Sequence, residues 1–223
     1  MDKLRITIDG PAGSGKSSTA KLLAAKLNAL FLDTGAMYRA VTLAAMQSNC
    51  DLNDIAQLEN IIDEANFEFK VKDGVMVVKI NGENVTDKIR DPKVTANVHY
   101  IASQASLRGR LVKLQREFAA CSEKIVTEGR DQGTVVFPDA NLKIFLTADN
   151  TQRTKRRALE LAQNGYKVDI GSLQKEIENR DLQDTSRKVA PLTPAKDAVL
   201  LDTTNLTLEQ VVEEILGLVK KLK

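Results

Sequence analysis

Apolar and polar positions along this chain follow two different periods, which predict a regular succession of strands and helices. Leu4, Ile6 and Ile8 alternate with polar residues, as is typical of a strand. Leu23 and Leu27 then repeat at helical spacing. Further short apolar segments are predicted to be strands separated by helices, and they lie at residues 30–32, 124–127, 142–146 and 198–202. This succession predicts an α/β fold with a parallel sheet and right-handed crossovers.

The pattern changes between residues 66 and 90, where apolar residues alternate with charged ones over 67–72 and apolar residues recur at every second position over 76–80. Asp73-Gly74 and Asn81-Gly82 interrupt this alternation, and such pairs between alternating segments predict tight hairpins. We therefore expect a small antiparallel subdomain inserted into the α/β pattern, and a rigid flap without chemistry is the alternative. Asp91-Pro92 then predicts the start of a helical stretch to residue 121, with a break near residues 104–106.

The first predicted strand leads into a glycine-rich segment that fits G-x-x-x-x-G-K-[ST] at every fixed position. Strand, loop and helix are the context that a phosphate-binding loop requires, since its backbone N–H groups converge on one centre. Lys16 can reach the β- and γ-phosphates of a nucleotide, and Ser17 can offer its hydroxyl to Mg²⁺. The predicted nucleotide-binding residues are Gly10, Pro11, Ala12, Gly13, Ser14, Gly15, Lys16, Ser17 and Ser18.

Polar residues also follow the other predicted strands, at the edge of the sheet where α/β proteins bind ligands. Asp33, Thr34, Tyr38 and Arg39 come after the second strand, with a helix expected from Ala36 to Gln47. An arginine in the first turn of a helix opposes the helix dipole, which hints at an anionic partner.

The segment 128–133 is charged and glycine-flanked, and the segment 153–188 is rich in arginine. We expect the latter to be a mobile lid over a nucleotide, with a solvated charged face as the alternative.

Composition excludes several other classes of function. The chain has 223 residues, 43% of them hydrophobic, and a formal net charge of +2, which gives no general case for nucleic-acid binding. Cys50 and Cys121 lack metal-ligand spacing. His99 is the single histidine, so no Ser-His-Asp or Cys-His site can be formed without it. No apolar segment approaches the about 18 residues of a membrane span. We expect a cytoplasmic protein that does not bind membranes.

Two classes of function compete on these motifs. A nucleotide-dependent switch of the GTPase type would carry an Asn-Lys-x-Asp segment, which this sequence lacks. A phosphoryl-transfer enzyme needs a second anion site, which Arg39, Arg130 and Arg187 can supply. A degenerate, non-catalytic nucleotide sensor is a third hypothesis, and the complete loop argues against it.

Three longer motifs carry a resemblance to a known family. Residues 33–39 (DTGAMYR), residues 128–138 (EGRDQGTVVFP) and the pair 179–181 (NRD) with 187–192 (RKVAPL) resemble the signatures of the bacterial cytidylate kinases. The resemblance implies a P-loop core with a five-stranded parallel sheet flanked by helices, an enlarged nucleoside-monophosphate domain and a helical lid. The expected boundaries are 1–35, 101–152 and 188–223 for the core, 36–100 for the monophosphate domain and 153–187 for the lid.

The resemblance also implies a reaction and its residues. The γ-phosphate of MgATP would pass to CMP or dCMP, with a switch or a kinase for another acceptor such as UMP as the alternative; we expect a monomer. Arg39, Arg130 and Arg187 would hold the acceptor phosphate and act in catalysis together with Lys16. The remaining expected contacts are Ser103, Arg108 and Asp131 for cytosine, Arg180 and Asp184 for the sugar, Thr34 and Tyr38 in the same pocket, and Arg153 and Arg157 for ATP.

Overall fold

The computed structural model describes residues 3–222 and contains the predicted alternation of strands and helices. Its elements, in chain order, are β1 (Leu4–Asp9), α1 (Lys16–Leu27), β2 (Leu30–Asp33), α2 (Thr34–Gln47), α3 (Ile55–Glu64), β3 (Phe67–Lys72), β4 (Val75–Ile80), β5 (Glu83–Asn84), α4 (Pro92–Ala102), α5 (Ala105–Ala120), β6 (Lys124–Gly129), β7 (Leu142–Thr147), α6 (Asn150–Gln163), α7 (Ile170–Ser186), β8 (Val199–Asp202) and α8 (Leu208–Lys220). A short 3₁₀ turn covers Lys88–Arg90, and a single π-helical turn covers Gln132–Val136.

Five of the strands form the parallel sheet that was expected, in the order β2-β6-β1-β7-β8. The register pairs Asp9 of β1 with Gly129 of β6, and Asp33 of β2 with Glu128 of β6. Because parallel strands end at the same edge, three acidic side chains and the glycine-rich loop after β1 lie close together. The α/β fold class is confirmed.

Apolar side chains fill the space on both faces of this sheet. One buried cluster joins the sheet to α1 and α8 and includes Ile6, Leu23 and Ile215. The other joins the sheet to α2 and α5 and includes Met37 and Leu111. The helices are therefore held against the sheet by burial of apolar surface, which stabilises at about 25 cal/mol per Å².

Strands β3, β4 and β5 form the small antiparallel sheet that the alternation predicted. Val78 and Ile80 of β4, and Val85 and Ile89 after it, belong to the same buried cluster as α2. The insertion is thus packed against the core through a shared apolar face. The expected domain boundaries stay a prediction.

Helix boundaries follow local capping, and one of them corrects an expectation. Asp33 accepts a hydrogen bond from the backbone N–H of Ala36 at 2.8 Å and caps α2, so that the helix begins at Thr34 instead of Ala36. Arg39 therefore lies in the second helical turn, where the dipole effect has faded. Within residues 3–222, no helix combines the length and the apolar character needed to cross a bilayer.

The close approach of the loop after β1 to its neighbours gives the first testable prediction. Gly10 has φ +148°, and a Cβ at this position would lie 2.2 Å from the carbonyl oxygen of Leu146. We expect Gly10→Ala to lower the free energy of unfolding by about 1–3 kcal/mol through this overlap. The matched control is Gly217→Ala in α8, where nothing lies within 4 Å. It should raise stability by roughly 0.5–1 kcal/mol, since glycine weakens helices. Urea unfolding of both variants checks the pair, and equal effects would contradict it.

Candidate active site

The loop between β1 and α1 has the conformation of an anion-binding site. Gly13 and Gly15 take positive φ angles of 74° and 93°, which glycine adopts without steric cost. Lys16 begins α1 at the carboxyl edge of the sheet and is 5% exposed. Its ammonium group donates to the carbonyl oxygen of Pro11 at 2.6 Å, so that the side chain lies across its own loop. The helix N-terminus and the ammonium together favour a bound phosphate.

The surroundings of Lys16 disfavour its charged form. Burial, followed by the positive charge of Arg130, lowers the pKa of Lys16 to about 7. Glu128 opposes this shift without cancelling it. A polyanionic ligand at the loop would replace the missing negative charge, and the ammonium form would then be favoured.

Ser17 and Glu128 place two hard oxygen ligands beside the loop. The Ser17 hydroxyl donates to Glu128 Oε1 at 2.7 Å. Burial, together with the nearby charge of Asp33, raises the pKa of Glu128 above its usual value. Mg²⁺ in nucleotide sites is held by one or two protein oxygens together with the phosphates, so this donor set fits Mg²⁺.

Asp9, at the end of β1, holds the turn that follows β6. Its two carboxylate oxygens accept hydrogen bonds from the backbone N–H groups of Gln132, at 2.9 Å, and Gly133, at 2.8 Å. Burial raises the pKa of Asp9 to about 6, although both hydrogen bonds act in the opposite direction. The sequence hypothesis assigned Asp9 no role, and in the structure it positions the Arg130-Asp131 segment.

A cavity of about 360 Å³ adjoins the loop and collects most of the predicted acceptor site. Nine of the ten predicted substrate-binding residues line it: Thr34, Tyr38, Arg39, Arg108, Arg130, Asp131, Arg180, Asp184 and Arg187. Thr34 is fixed there because its hydroxyl donates to the carbonyl oxygen of Glu128 at 2.7 Å. Residues from α2, α5 and α7 and from the segments directly after β6 and α7 thus meet in one cationic cavity.

Asp184 organises two of the guanidinium groups in this cavity. Arg130 Nε donates to its Oδ2 at 2.7 Å, and Arg187 Nη1 lies 3.7 Å from its Oδ1. Burial, together with the charge of Arg130, lowers the pKa of Arg180 to about 10. The excess of positive charge around Asp184 favours a polyanion.

Three buried donors that belong to cavity-lining residues have no hydrogen-bond partner within the described part of the chain. They are the Tyr38 hydroxyl, Nε of Arg39 and Nη2 of Arg187. A buried donor without a partner costs about 1–3 kcal/mol, so such groups are normally satisfied by a ligand or by water. Because their residues line the cavity, these donors favour a ligand with several acceptor oxygens.

A buried ion pair lies in the wall of the same cavity. Nη2 of Arg108 pairs with Oδ2 of Asp131, and both side chains are 5% exposed or less. Arg108 also lies 5.5 Å from the centre of the Tyr38 ring, which is a cation–π distance. Arg108 and Asp131 therefore offer a donor and an acceptor side by side on an apolar surface.

Ser103 is not brought to this cavity. It caps the end of α4, is exposed, and its hydroxyl donates to the carbonyl oxygen of Tyr100 at 3.5 Å. The break between α4 and α5 falls at Ser103-Gln104, slightly earlier than predicted. Thr95, Val98 and Ala102 form the α4 side of the cavity instead.

The predicted lid arginines occupy two different positions. Arg153 is 8% exposed, donates to the carbonyl oxygen of Ala12 at 3.0 Å and pairs with Asp181, so it braces the loop from behind. Arg157 pairs with Glu160 at 2.8 Å and lines the cavity.

A second cavity of about 460 Å³ lies on the other side of the loop. Arg156 reaches its wall and donates to the hydroxyl and the carbonyl oxygen of Thr203 at 2.9 and 2.6 Å. Sequence reasoning missed Arg156 because it stands among several lysines and arginines with no signal to separate them. It also gave no role to Glu128, although this residue opens the 128–138 motif.

A phosphate-binding loop between two adjoining cavities, both of them lined by guanidinium groups, defines the class as a P-loop phosphotransferase. Within that class the chain belongs to the cytidylate kinase family, whose model matches residues 6–221. It is 45% identical over 222 residues to a cytidylate kinase of Caldicellulosiruptor saccharolyticus, covering 100% of this chain and 98% of that protein. It is 46% identical to a cytidylate kinase of Ligilactobacillus salivarius, covering 99% and 98%.

The fold also has a counterpart among solved structures. An uncharacterized protein from Eubacterium ventriosum superimposes with a TM-score of 0.53 at 14% identity, covering 98% of this chain and 99% of that one. At this level of identity the likeness concerns the fold alone.

The lowered pKa of Lys16 gives a second testable prediction. At pH 8, without ligand, Lys16 is neutral in most molecules, because its pKa is about 7. A bound triphosphate raises this pKa. We therefore expect ATP binding at pH 8 to take up close to one proton, and the affinity to fall as the pH rises from 7 to 9. Calorimetry in buffers of different ionisation enthalpy measures the uptake. Lys21→Met, on the exposed side of α1, should keep it and Lys16→Met should lose it. Binding without proton uptake in the wild type would refute this account.

Proposed function

We propose that this protein transfers the γ-phosphate of MgATP to CMP or dCMP, giving ADP and CDP or dCDP. The observation that carries the proposal is the buried Arg108–Asp131 pair in the wall of a cavity that is otherwise lined by an excess of cationic residues. The named activity of the full-length relatives supports the same reaction. We further propose that the protein acts as a monomer in the cytoplasm.

The Arg108–Asp131 pair fits the polar edge of cytosine. A carboxylate can accept from the exocyclic amino group, while a guanidinium donates to N3 or O2. Uracil presents a carbonyl where cytosine has the amino group, and this carbonyl would face the Asp131 carboxylate. Such a mismatch costs ~1–3 kcal/mol, roughly tenfold to a hundredfold in discrimination.

The remaining cavity residues fit the phosphate and the sugar. Arg39, Arg130 and Arg187 would hold the acceptor phosphate, and the unpaired nitrogens of Arg39 and Arg187 support this role. Arg180 and Asp184 would contact the sugar, and Thr34 and Tyr38 would complete the wall. Ser103 has no role in this proposal, because its hydroxyl lies apart from the cavity.

The loop and the second cavity fit the donor nucleotide. Backbone N–H groups of the loop and Lys16 would hold the triphosphate, Arg157 would reach it from α6, and Arg153 would keep the loop in place. Ser17, with Glu128 beside it, would hold Mg²⁺, which neutralises charge on the β- and γ-phosphates when bound. The segment 153–187 would close over the site and exclude water.

The reaction we propose is a direct in-line displacement. An oxygen of the acceptor phosphate forms the new bond to the γ-phosphorus. The bond between the γ-phosphorus and the oxygen that bridges the β- and γ-phosphates breaks, and ADP leaves with this oxygen. The acceptor is already an anion, so no general base is needed. Catalysis then consists of alignment and charge stabilisation by Lys16, Arg39, Arg130 and Arg187.

The decisive experiment compares acceptors one at a time. ADP release from MgATP should be rapid with CMP or dCMP and slow with UMP, AMP and dTMP. Lys16→Ala should lower this turnover by orders of magnitude without unfolding the protein. Slow release that does not depend on the acceptor would instead favour a nucleotide-dependent switch.

The base-reading role of Asp131 gives a further prediction. In Asp131→Asn, an amide N–H₂ that can donate to the uracil carbonyl takes the place of an oxygen acceptor. We expect the ratio of kcat/KM for CMP to that for UMP to fall about tenfold to a hundredfold. The KM for ATP should change by less than about threefold.

Asp139→Asn is the matched control, since Asp139 is 70% exposed and pairs with Arg5 at the surface. Its selectivity should equal that of the wild type. Equal losses for CMP and ATP in Asp131→Asn would move Asp131 out of the base pocket. Melting temperatures separate this result from unfolding, because the variant also weakens the ion pair with Arg108.

A further inference from the structure

Arg90 is a cationic residue at the site that the sequence hypothesis left without a role. It ends the 3₁₀ turn Lys88–Arg90, directly after the small antiparallel sheet. Ile89 in the same turn is 1% exposed and belongs to the apolar cluster shared with α2. The turn is therefore anchored in the core, and the insertion delivers Arg90 to the edge of the parallel sheet.

A buried carboxylate holds Arg90 at that edge. Its Nη2 donates to Asp33 Oδ2 at 3.3 Å, and the same carboxylate receives Arg39 Nη2 at 3.2 Å. Burial opposes the charge on Asp33, but Arg39 and Arg90 together keep its pKa below the usual value. Asp33 thus stays ionised and aligns one guanidinium from α2 with another from the insertion.

Arg90 occupies the junction between the two cavities. Of the eight cationic residues that line the first cavity, Lys16, Arg90 and Arg157 also line the second. Within residues 3–222, hydrogen bonding of the Arg90 guanidinium is confined to Asp33, and its side chain is 48% exposed. Its Nε and Nη1 donors are therefore available to a ligand.

We propose that Arg90 binds the phosphoryl group in transit between donor and acceptor, and this inference rests on the proposed function. The γ-phosphoryl group must cross the junction of the cavities, with negative charge on its three equatorial oxygens. A guanidinium with free donors at that point stabilises this charge, while Asp33 fixes its orientation. Arg90 stays protonated throughout, since the only bonds that change are those to phosphorus. The inserted sheet thus contributes to catalysis through the residue at its end.

Steady-state kinetics of Arg90→Ala tests this inference against a control in the same turn. We expect kcat to fall about 10- to 100-fold, as expected for a lost transition-state donor, while the KM for CMP changes less than about threefold. Arg90→Lys should recover part of the loss, because it keeps a charge without the planar fork. The control is Lys88→Ala: Lys88 pairs with Glu83 at the surface, is 56% exposed and lines neither cavity. Its kcat should equal that of the wild type.

A binding measurement without turnover separates this inference from the proposed function. The probe is adenosine joined to cytidine through five phosphates, which spans both cavities. Arg90→Ala should weaken its binding about 10- to 100-fold, and Lys88→Ala should leave it within about twofold. A wild type that binds the probe but does not phosphorylate CMP refutes the proposed function alone.

Three results would overturn the inference about Arg90. One is an Arg90→Ala variant with wild-type kcat and probe affinity and only a lower melting temperature, which would make the residue a structural tether. Another is a loss confined to the KM for CMP, which would place Arg90 on the acceptor alone. The third is a wild type that does not bind the probe.

Discussion

Repulsion among buried guanidinium groups is the constraint on which this site depends. Eight cationic side chains line the first cavity against five carboxylates, and burial together with the charge of Arg130 lowers the pKa values of Lys16 and Arg180. Taking such charges out of water costs several kcal/mol for each ion unless counter-charges lie close by. The carboxylates of Asp33, Asp131 and Asp184 supply part of the counter-charge and fix how the arginines point. The remainder has to come from a polyanionic ligand, so the same imbalance that strains the free protein gives affinity for phosphates.

The register of the parallel sheet brings these carboxylates to one edge. Asp9 and Asp33 end β1 and β2, and β6 ends between them, where Glu128 and Gly129 open the turn toward Arg130 and Asp131. None of these residues is near the others in sequence, apart from those of the turn itself. Burial of apolar side chains on both faces of the sheet therefore determines where the charged groups lie.

The sequence predicted the site best where backbone geometry is local. The P-loop needs a strand, glycines and a helix at fixed spacing, and the turn residues Asp73-Gly74 and Asn81-Gly82 mark the antiparallel insertion. The prediction was less accurate at helix ends and where tertiary contacts decide. The local cap by Asp33 moved the start of α2, and the end of α4 left Ser103 outside the cavity. Asp9 was missed because a single acidic residue at a strand end does not reveal that its partners are backbone N–H groups more than a hundred residues away.

The turn after β6 shows why Asp9 is a carboxylate. Glu128 lies beside Ser17, Arg130 pairs with Asp184 and Asp131 pairs with Arg108, so that four consecutive residues reach three parts of the site. A turn that serves three places tolerates little displacement. Two successive N–H groups have to be held at once, and the two oxygens of a carboxylate accept one bond each, whereas an amide offers a single acceptor oxygen. Burial destabilises the charged form of Asp9 and so raises its pKa, whereas the two backbone hydrogen bonds stabilise the charged form in the interior.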